Sequence, residues 1–136
     1  MKKVFVDTNL FIRYLVNDIH EQVDKVENLL DLAQKGEVAP VTGPPVFFEM
    51  AWTLKSFYNL SRIKIYECLS SILGIPGLEV IDIDILEDAL ELYRNSSADF
   101  SDAYIAVLAE KVDASAIATF NVKHFKDLDV NLYPFK

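Results

Sequence analysis

The chain has 136 residues, a formal net charge of −8, and a composition that is 51% hydrophobic and 25% charged. This length predicts a single domain over residues 1–136, and the balance is that of a globular chain, not a disordered one. No stretch approaches the ~20 apolar residues of a membrane-spanning helix, and no secretory signal is recognisable. We therefore expect a soluble cytoplasmic protein with no membrane partner. The acidic charge argues against a broad basic surface for nucleic acid, although a bound divalent cation would reverse the sign locally.

Short apolar runs alternate along the chain with segments of helical periodicity. Strands are predicted at residues 3–7, 38–41, 78–81 and 116–120, with a short edge strand at 130–132. Helices are predicted at about 10–16, 18–36, 44–58, 61–73 and 84–94, and a last helix begins at Asp99 or Ser101. Asp18 with Glu21 resembles a capping box that opens the second helix. Alternating strands and helices predict parallel pairing and an α/β fold, namely a three-layer α/β/α sandwich around a mainly parallel sheet of four to five strands.

Asp7-Thr8-Asn9 comes directly after the short apolar run Val4-Phe5-Val6 of the first predicted strand. Because this run is apolar on both faces, we expect the strand to be buried. Parallel pairing aligns the carboxyl ends of the strands, which predicts that Asp7 and residues 119–121 emerge on the same side of the sheet. Ligand sites of open α/β sheets collect at this edge. The sequence therefore predicts a polar site there.

Glu49 is an acid within a predicted helix whose other residues at 46–54 are almost all apolar. A helix that is apolar nearly all round is expected to be buried, and a buried carboxylate without a partner is unfavourable. The alternative is a surface position or a salt bridge to Lys55 or Arg13. Glu49 is therefore a candidate ligand or catalytic acid.

Asp99 and Asp102 open the last predicted helix. An acid at the N-cap and another in the first turn are both favourable for a helix, so capping is one explanation of the pair. Capping does not explain why the apolar neighbours Phe100, Ala103 and Tyr104 would draw Asp102 toward the interior. A functional role is the other explanation.

Convergence of these acids would require a cation. Two carboxylates about 4 Å apart repel by ~4 kcal/mol at an effective dielectric constant near 20. Oxygen ligands without His or Cys indicate Mg²⁺ or Mn²⁺ in preference to Zn²⁺, and such an ion is suited to phosphodiester hydrolysis. Polar side chains that would hold metal-bound water are Thr8, Asn9, Thr119 and Asn121. For Thr8 and Asn9 the alternative role is to cap the first helix.

Four segments of the chain resemble the PIN-domain ribonucleases, specifically the VapC-type toxins of bacterial and archaeal toxin–antitoxin pairs. In chain order they are DTNLFIRYLVND at 7–18, VFFEMAWTL at 46–54, ADFSDAYIAVLA at 98–109 and ATFNVKHF at 118–125. Their order and spacing agree with the family over nearly the whole chain.

The resemblance implies an endoribonuclease that uses Mg²⁺ or Mn²⁺. Asp7, Glu49 and Asp102 match the acidic metal-binding core, and Asp99 matches a further acid of the site. The family often has an Asp where this chain has Asn121, and the missing charge would weaken a second metal site. The implied partners are an RNA substrate, a second copy of the chain in a homodimer, and a small antitoxin protein.

Two other functions remain open at this point. The first is a catalytically silent PIN domain that binds RNA or a protein partner. The second is a metal-dependent phosphatase with an aspartate nucleophile, which Asn9 disfavours because that class has a second Asp two residues after the first.

Overall fold

The computed structural model describes residues 2–136, which form two compact units. The first unit ends at Ile83, and the second comprises Asp84–Lys136. Within the described residues there are six α-helices and one parallel sheet of three strands, which confirms the α/β class. The sheet has fewer strands than the four to five expected. A single domain over the whole chain stays a prediction.

The first unit contains the whole sheet. Its elements are β1 (Lys2–Phe5), α1 (Thr8–Val16), α2 (His20–Gln34), β2 (Val38–Thr42), α3 (Pro44–Ser56), α4 (Arg62–Leu73) and β3 (Glu79–Val80). The strand order is β1-β2-β3, with both pairs parallel. Helix α1 packs against α2 and α3, and α3 packs against α4. The carboxyl ends of the three strands therefore lie at one edge of this sheet.

Strand β1 lies at the side of the sheet, not at its centre. Phe5 is 60% exposed, so the expectation that this strand is buried on both faces is wrong. The reason is that, within residues 2–136, only β2 pairs with it. Val6 continues the pairing because its N–H donates to the Val41 carbonyl oxygen at 2.8 Å. The fully buried Thr42 hydroxyl donates to the Val6 carbonyl oxygen at 3.1 Å, which fixes the backbone just before Asp7.

Helix α3 is buried along one stripe and not all round. It starts with Pro44 in its first turn, as predicted. The residues of its buried stripe are at most 5% exposed: Val46, Phe47, Met50 and Leu54. Trp52 is 68% exposed and Glu49 also faces solvent. The expected burial of Glu49 is wrong because apolar composition does not specify which side of a helix its neighbours cover.

The start of α2 differs from the predicted capping box. Its N-cap is Ile19, which makes no capping hydrogen bond through its side chain. Asp18 instead accepts a hydrogen bond from the Arg13 guanidinium at 2.6 Å, and such charge-assisted bonds are stronger than neutral ones. Helix α4 starts as predicted, since the Ser61 hydroxyl oxygen accepts the Lys64 N–H at 3.3 Å.

The second unit contains most of α5 (Ile83–Arg94), the whole of α6 (Phe100–Lys111), and a 3-10 helix (Val122–Phe125). One buried cluster of this unit consists of Ala98, Ala106, Phe125 and Leu128, with Leu92, Ile117, Val130 and Leu132 packed against them. None of the helices in residues 2–136 is both long and apolar enough to cross a membrane.

The two strands predicted in the second unit, at 116–120 and 130–132, are not formed as strands. The two segments meet only at an isolated parallel bridge between Ile117 and Leu132. The Ile117 N–H donates to the Asn131 carbonyl oxygen at 2.8 Å. One bridged residue on each segment does not make a ladder, which explains why the strand count is lower than predicted.

Candidate active site

Asp7 is the N-cap of α1 and lies two residues after Phe5, the carboxyl end of β1. Its Oδ1 accepts the Thr8 N–H at 2.7 Å, and its side chain is exposed. A carboxylate has lone pairs on both oxygens, so this capping bond and the binding of a ligand are compatible. The cap orients the acid and leaves it open to solvent.

The two residues after Asp7 differ in their exposure to solvent. Thr8 is the first residue of α1 and is buried, and the capping role considered for it belongs to Asp7. Asn9 is exposed. It lies in a cleft of about 270 Å³, which we call the α1–α3 cleft; its lining residues are Thr8, Asn9, Ile12, Arg13, Glu49, Thr53, Phe57 and Tyr58.

Glu49 lines the same cleft as Thr8 and Asn9. The structure therefore brings an acid of α3 together with the two residues that follow Asp7, all within the first unit. Because Glu49 is exposed, its carboxylate is accessible from solvent. Arg13, considered above as a partner of Glu49, is instead bound by Asp18.

Asp102 occupies a different environment, in the first turn of α6. Its side chain is only 14% exposed, and its Oδ2 lies 3.4 Å from Nδ1 of His124. Burial raises the pKa of Asp102 above its ordinary value; His124 opposes this shift and Asp99 adds to it. Asp99 is the exposed N-cap residue of α6, but its side chain makes no capping hydrogen bond.

Thr119 and Asn121 support the segment that carries His124. The Thr119 hydroxyl oxygen accepts the Asn121 N–H at 2.9 Å, and the Asn121 carbonyl oxygen accepts the His124 N–H at 3.0 Å. The structure thus links both predicted supporting residues, through His124, to Asp102. Sequence reasoning missed His124 because it fits no zinc-binding motif; its place in ATFNVKHF at 118–125 was the available signal.

The predicted acids are divided between the units, with Asp7 and Glu49 in the first and Asp99 and Asp102 in the second. Over residues 2–136, no three His, Cys, Asp or Glu side chains are grouped in a way that would hold one metal ion. Their carboxylate oxygens are nevertheless the donors that hard divalent cations take. A nearby cation would also lower the pKa of Asp102, which burial raises. A shared cation at Asp7, Glu49 and Asp102 stays a prediction.

Comparison with known proteins assigns the family of this chain. The PIN domain model matches residues 4–131, a range that includes every predicted site residue. The chain is similar to a protein named VapC ribonuclease from Aquifex aeolicus (strain VF5), with 28% identity over 124 residues and 90% of each chain covered. No solved structure matches it. The extent of the PIN match shows that the chain belongs to the PIN domain family.

Proposed function

We propose that this PIN-domain protein is a divalent-metal-dependent endoribonuclease and the toxin of a toxin–antitoxin pair. The observation that carries the proposal is the extent of the family match, which includes the acids at positions 7, 49, 99 and 102. A relative that aligns over 90% of both chains and is named a VapC ribonuclease supports the same activity.

The proposed cofactor is Mg²⁺ or Mn²⁺. Asp7 and Asp102 would hold the ion, with Glu49 directly or through a water molecule, and Asp99 and Asn121 would orient water or assist a weaker second ion. When bound, such an ion lowers the pKa of its water and stabilises charge on the phosphate oxygens.

The remaining predicted residues position these groups. Thr8 begins the helix that Asp7 caps, and Asn9 presents its amide in the α1–α3 cleft. Thr119 holds the turn that contains Asn121. We propose that these side chains bind metal-bound water and the substrate phosphate by hydrogen bonds, without forming a covalent intermediate.

The proposed partners follow from the name of the relative. We expect an RNA substrate, a small antitoxin protein, a homodimer and a cytoplasmic location.

The alternative is a catalytically silent PIN domain that binds RNA or protein. Two observations favour it: Asp102 already contacts His124, and position 121 carries an uncharged Asn. A silent domain would bind RNA or its partner but show no metal-dependent cleavage.

An RNA-cleavage assay with the Asp7→Asn variant tests the proposed function. Asn caps helices about as well as Asp, so the variant should fold normally and lose more than about 100-fold in kcat/KM, because even outer-shell groups of metal sites contribute 10–100-fold. EDTA should abolish cleavage by the wild-type protein, and Mg²⁺ or Mn²⁺ should restore it.

Asp24→Asn is the matched control, because Asp24 is an exposed acid of α2. It should cleave like the wild type. Full activity of Asp7→Asn, or cleavage that EDTA does not reduce, would refute the proposal.

A further inference from the structure

The α1–α3 cleft has an aromatic wall that the proposed hydrolysis does not use. Phe57, the C-cap residue of α3, is 77% exposed and lines this cleft. Its ring packs edge-to-face against Tyr58, with the ring centroids 5.0 Å apart and an interplanar angle of 67°. Most of the Phe57 surface is therefore open to solvent, and Phe57 lines the cleft together with the proposed catalytic Glu49.

Arg13 supplies an oriented guanidinium in the same cleft, and the Asp18 carboxylate compensates part of its charge. Its guanidinium donates one hydrogen bond to Asp18 at 2.6 Å and another to the Tyr58 hydroxyl oxygen at 2.9 Å. A guanidinium has five N–H donors, so these two bonds orient the group without using all of its donors. Of the described residues that line the α1–α3 cleft, Arg13 is the only cation and Glu49 the only acid.

An exposed aromatic ring and an oriented guanidinium line one cleft of mainly apolar surface, and the two groups match the base and the phosphate of a nucleotide. Every nucleobase can stack on an aromatic ring through its flat face, and Arg recognises phosphate oxygens through its planar fork of donors. The net charge of −8 gives RNA no long-range attraction. Affinity for RNA must therefore come from local contacts of this kind.

We propose that the α1–α3 cleft is a nucleotide subsite for single-stranded RNA, in which a base stacks on Phe57 and a phosphate of the same strand contacts Arg13. This inference rests on the proposed function, since the strand would be the one cleaved beside Glu49. A base can reach Phe57 only if it is unpaired, because bases inside an A-form helix are stacked on each other. The substrate class is accordingly an unpaired loop or end.

Binding measured without cleavage tests the stacking contact. The probe is a short single-stranded RNA that contains the fluorescent base 2-aminopurine, titrated with protein in EDTA. The wild-type protein should quench the fluorescence of 2-aminopurine. Phe57→Ala should reduce this quenching and should lower the affinity for the RNA by about tenfold. Phe57→Trp should retain both. Phe57→Leu, which keeps an apolar side chain without an aromatic face, should behave like Phe57→Ala.

Trp52→Ala is the matched control for Phe57→Ala. Trp52 is also an exposed aromatic residue of α3, but it does not line the α1–α3 cleft. Its loss should leave RNA affinity unchanged. In cleavage assays with Mg²⁺, Phe57→Ala should raise KM by about tenfold with little change in kcat, because the stack is formed equally with bound substrate and with the transition state.

The salt dependence of affinity tests the phosphate contact. One phosphate contact gives a slope of about −0.7 for the logarithm of affinity against the logarithm of salt concentration with single-stranded nucleic acid. Arg13→Gln should bring this slope close to zero, whereas Arg13→Lys should retain it because the charge remains. Circular dichroism of each variant checks that the fold is intact.

The subsite is refuted if Phe57→Ala binds the probe as tightly as the wild type, if Trp52→Ala weakens binding equally, or if the wild type binds no single-stranded RNA. Equal affinity for a fully paired duplex would also refute it. A wild-type protein that quenches the probe through Phe57 but never cleaves RNA would support the subsite and refute the nuclease function.

Discussion

The acids of the two units occupy contrasting environments. In the first unit, Asp7 and Glu49 are exposed, and the Asp7 carboxylate stabilises the start of α1 by accepting a backbone N–H. In the second unit, Asp102 is largely buried and contacts His124, and its burial raises the pKa of the carboxyl group. An aspartate carboxylate therefore stabilises the fold at position 7, whereas at position 102 the ionised form of the carboxylate destabilises the fold.

This contrast distinguishes two ways of holding a carboxylate in place for function. A helix cap orients the acid through a backbone bond and keeps it hydrated, so its charge carries no burial penalty. A half-buried site orients the acid by packing and desolvates it, so the charged form is disfavoured until a cation approaches. An acid of the second kind is the stronger sign of function, because it lowers stability without a ligand.

The largest expected effects are on cleavage. Asp102→Asn should reduce kcat/KM by more than about 100-fold, whereas Glu49→Gln should lose about 10–100-fold if Glu49 acts through a water molecule. Steady-state cleavage of one RNA at saturating Mg²⁺ measures both. Glu87→Gln, at an exposed acid of α5, is the control and should be fully active. A smaller loss for Asp102→Asn than for Glu49→Gln would reverse the ranking drawn from the two environments.

The next largest effect is on the free energy of unfolding and concerns Thr42, whose buried hydroxyl fixes the backbone just before Asp7. Thr42→Val keeps the shape of the side chain but removes the hydroxyl that donates to the Val6 carbonyl oxygen. Leaving a buried acceptor without its donor should lower the free energy of unfolding by about 1–3 kcal/mol, as measured by urea denaturation.

Ser71→Ala is the control for Thr42→Val. The Ser71 hydroxyl donates to the Cys68 carbonyl oxygen at 2.7 Å, but at an exposed position. Water can replace that bond, so we expect a change within about 0.5 kcal/mol. Equal losses in the two variants would mean that burial does not set the strength of the Thr42 contact.

The smallest effects should have opposite signs in the two units. Asp7→Ala removes a helix cap and should destabilise the metal-free protein by about 1 kcal/mol, whereas Asp7→Asn keeps the cap and should not. Asp102→Asn removes a desolvated charge and should stabilise the metal-free protein near pH 8, by less than about 1 kcal/mol. Thermal or urea unfolding measures both.

The gain from Asp102→Asn should depend on pH. The folded-state pKa of Asp102 is raised, so the folded protein holds this proton more tightly than the unfolded chain does. Below the unfolded-state pKa, Asp102 of the wild type is protonated and its burial costs no charge desolvation. The wild type then loses stability as pH rises through the folded-state pKa of Asp102. The advantage of Asp102→Asn should therefore be absent near pH 3 and should reach its full size only above the folded-state pKa of Asp102. An advantage that grew toward acid pH would contradict the assignment.

Local features of the fold were predictable because they depend on neighbouring residues. The prolines at 44–45 and Ser61 marked the starts of two helices, and both helices begin there. The capping box at Asp18 failed because a guanidinium from α1, outside the local pattern, binds that carboxylate. The strands expected at 116–120 and 130–132 did not form. An apolar run indicates a preference for extended backbone, but it does not say how many of its residues pair with a neighbouring strand.

The candidate site shows the same limit. Its motifs predicted the acids, and their family is confirmed by the match over residues 4–131. Nothing in the spacing of α3 indicated that Glu49 faces solvent, and no motif joined His124 to Asp102. Both depend on contacts between segments that lie far apart in the chain.

By itself, the sequence determined the six α-helices, the three paired strands, the α/β class and the PIN family, because periodicity, capping residues and motif spacing are properties of short segments. Only the tertiary structure decided which acids are hydrated and which are desolvated, and which aromatic rings face a cleft instead of the core. Burial is set by the neighbours that cover a side chain, and those neighbours come from other elements. The exposure of Glu49 could therefore not be deduced from the apolar residues beside it, although the apolar neighbours of Asp102 did indicate its burial.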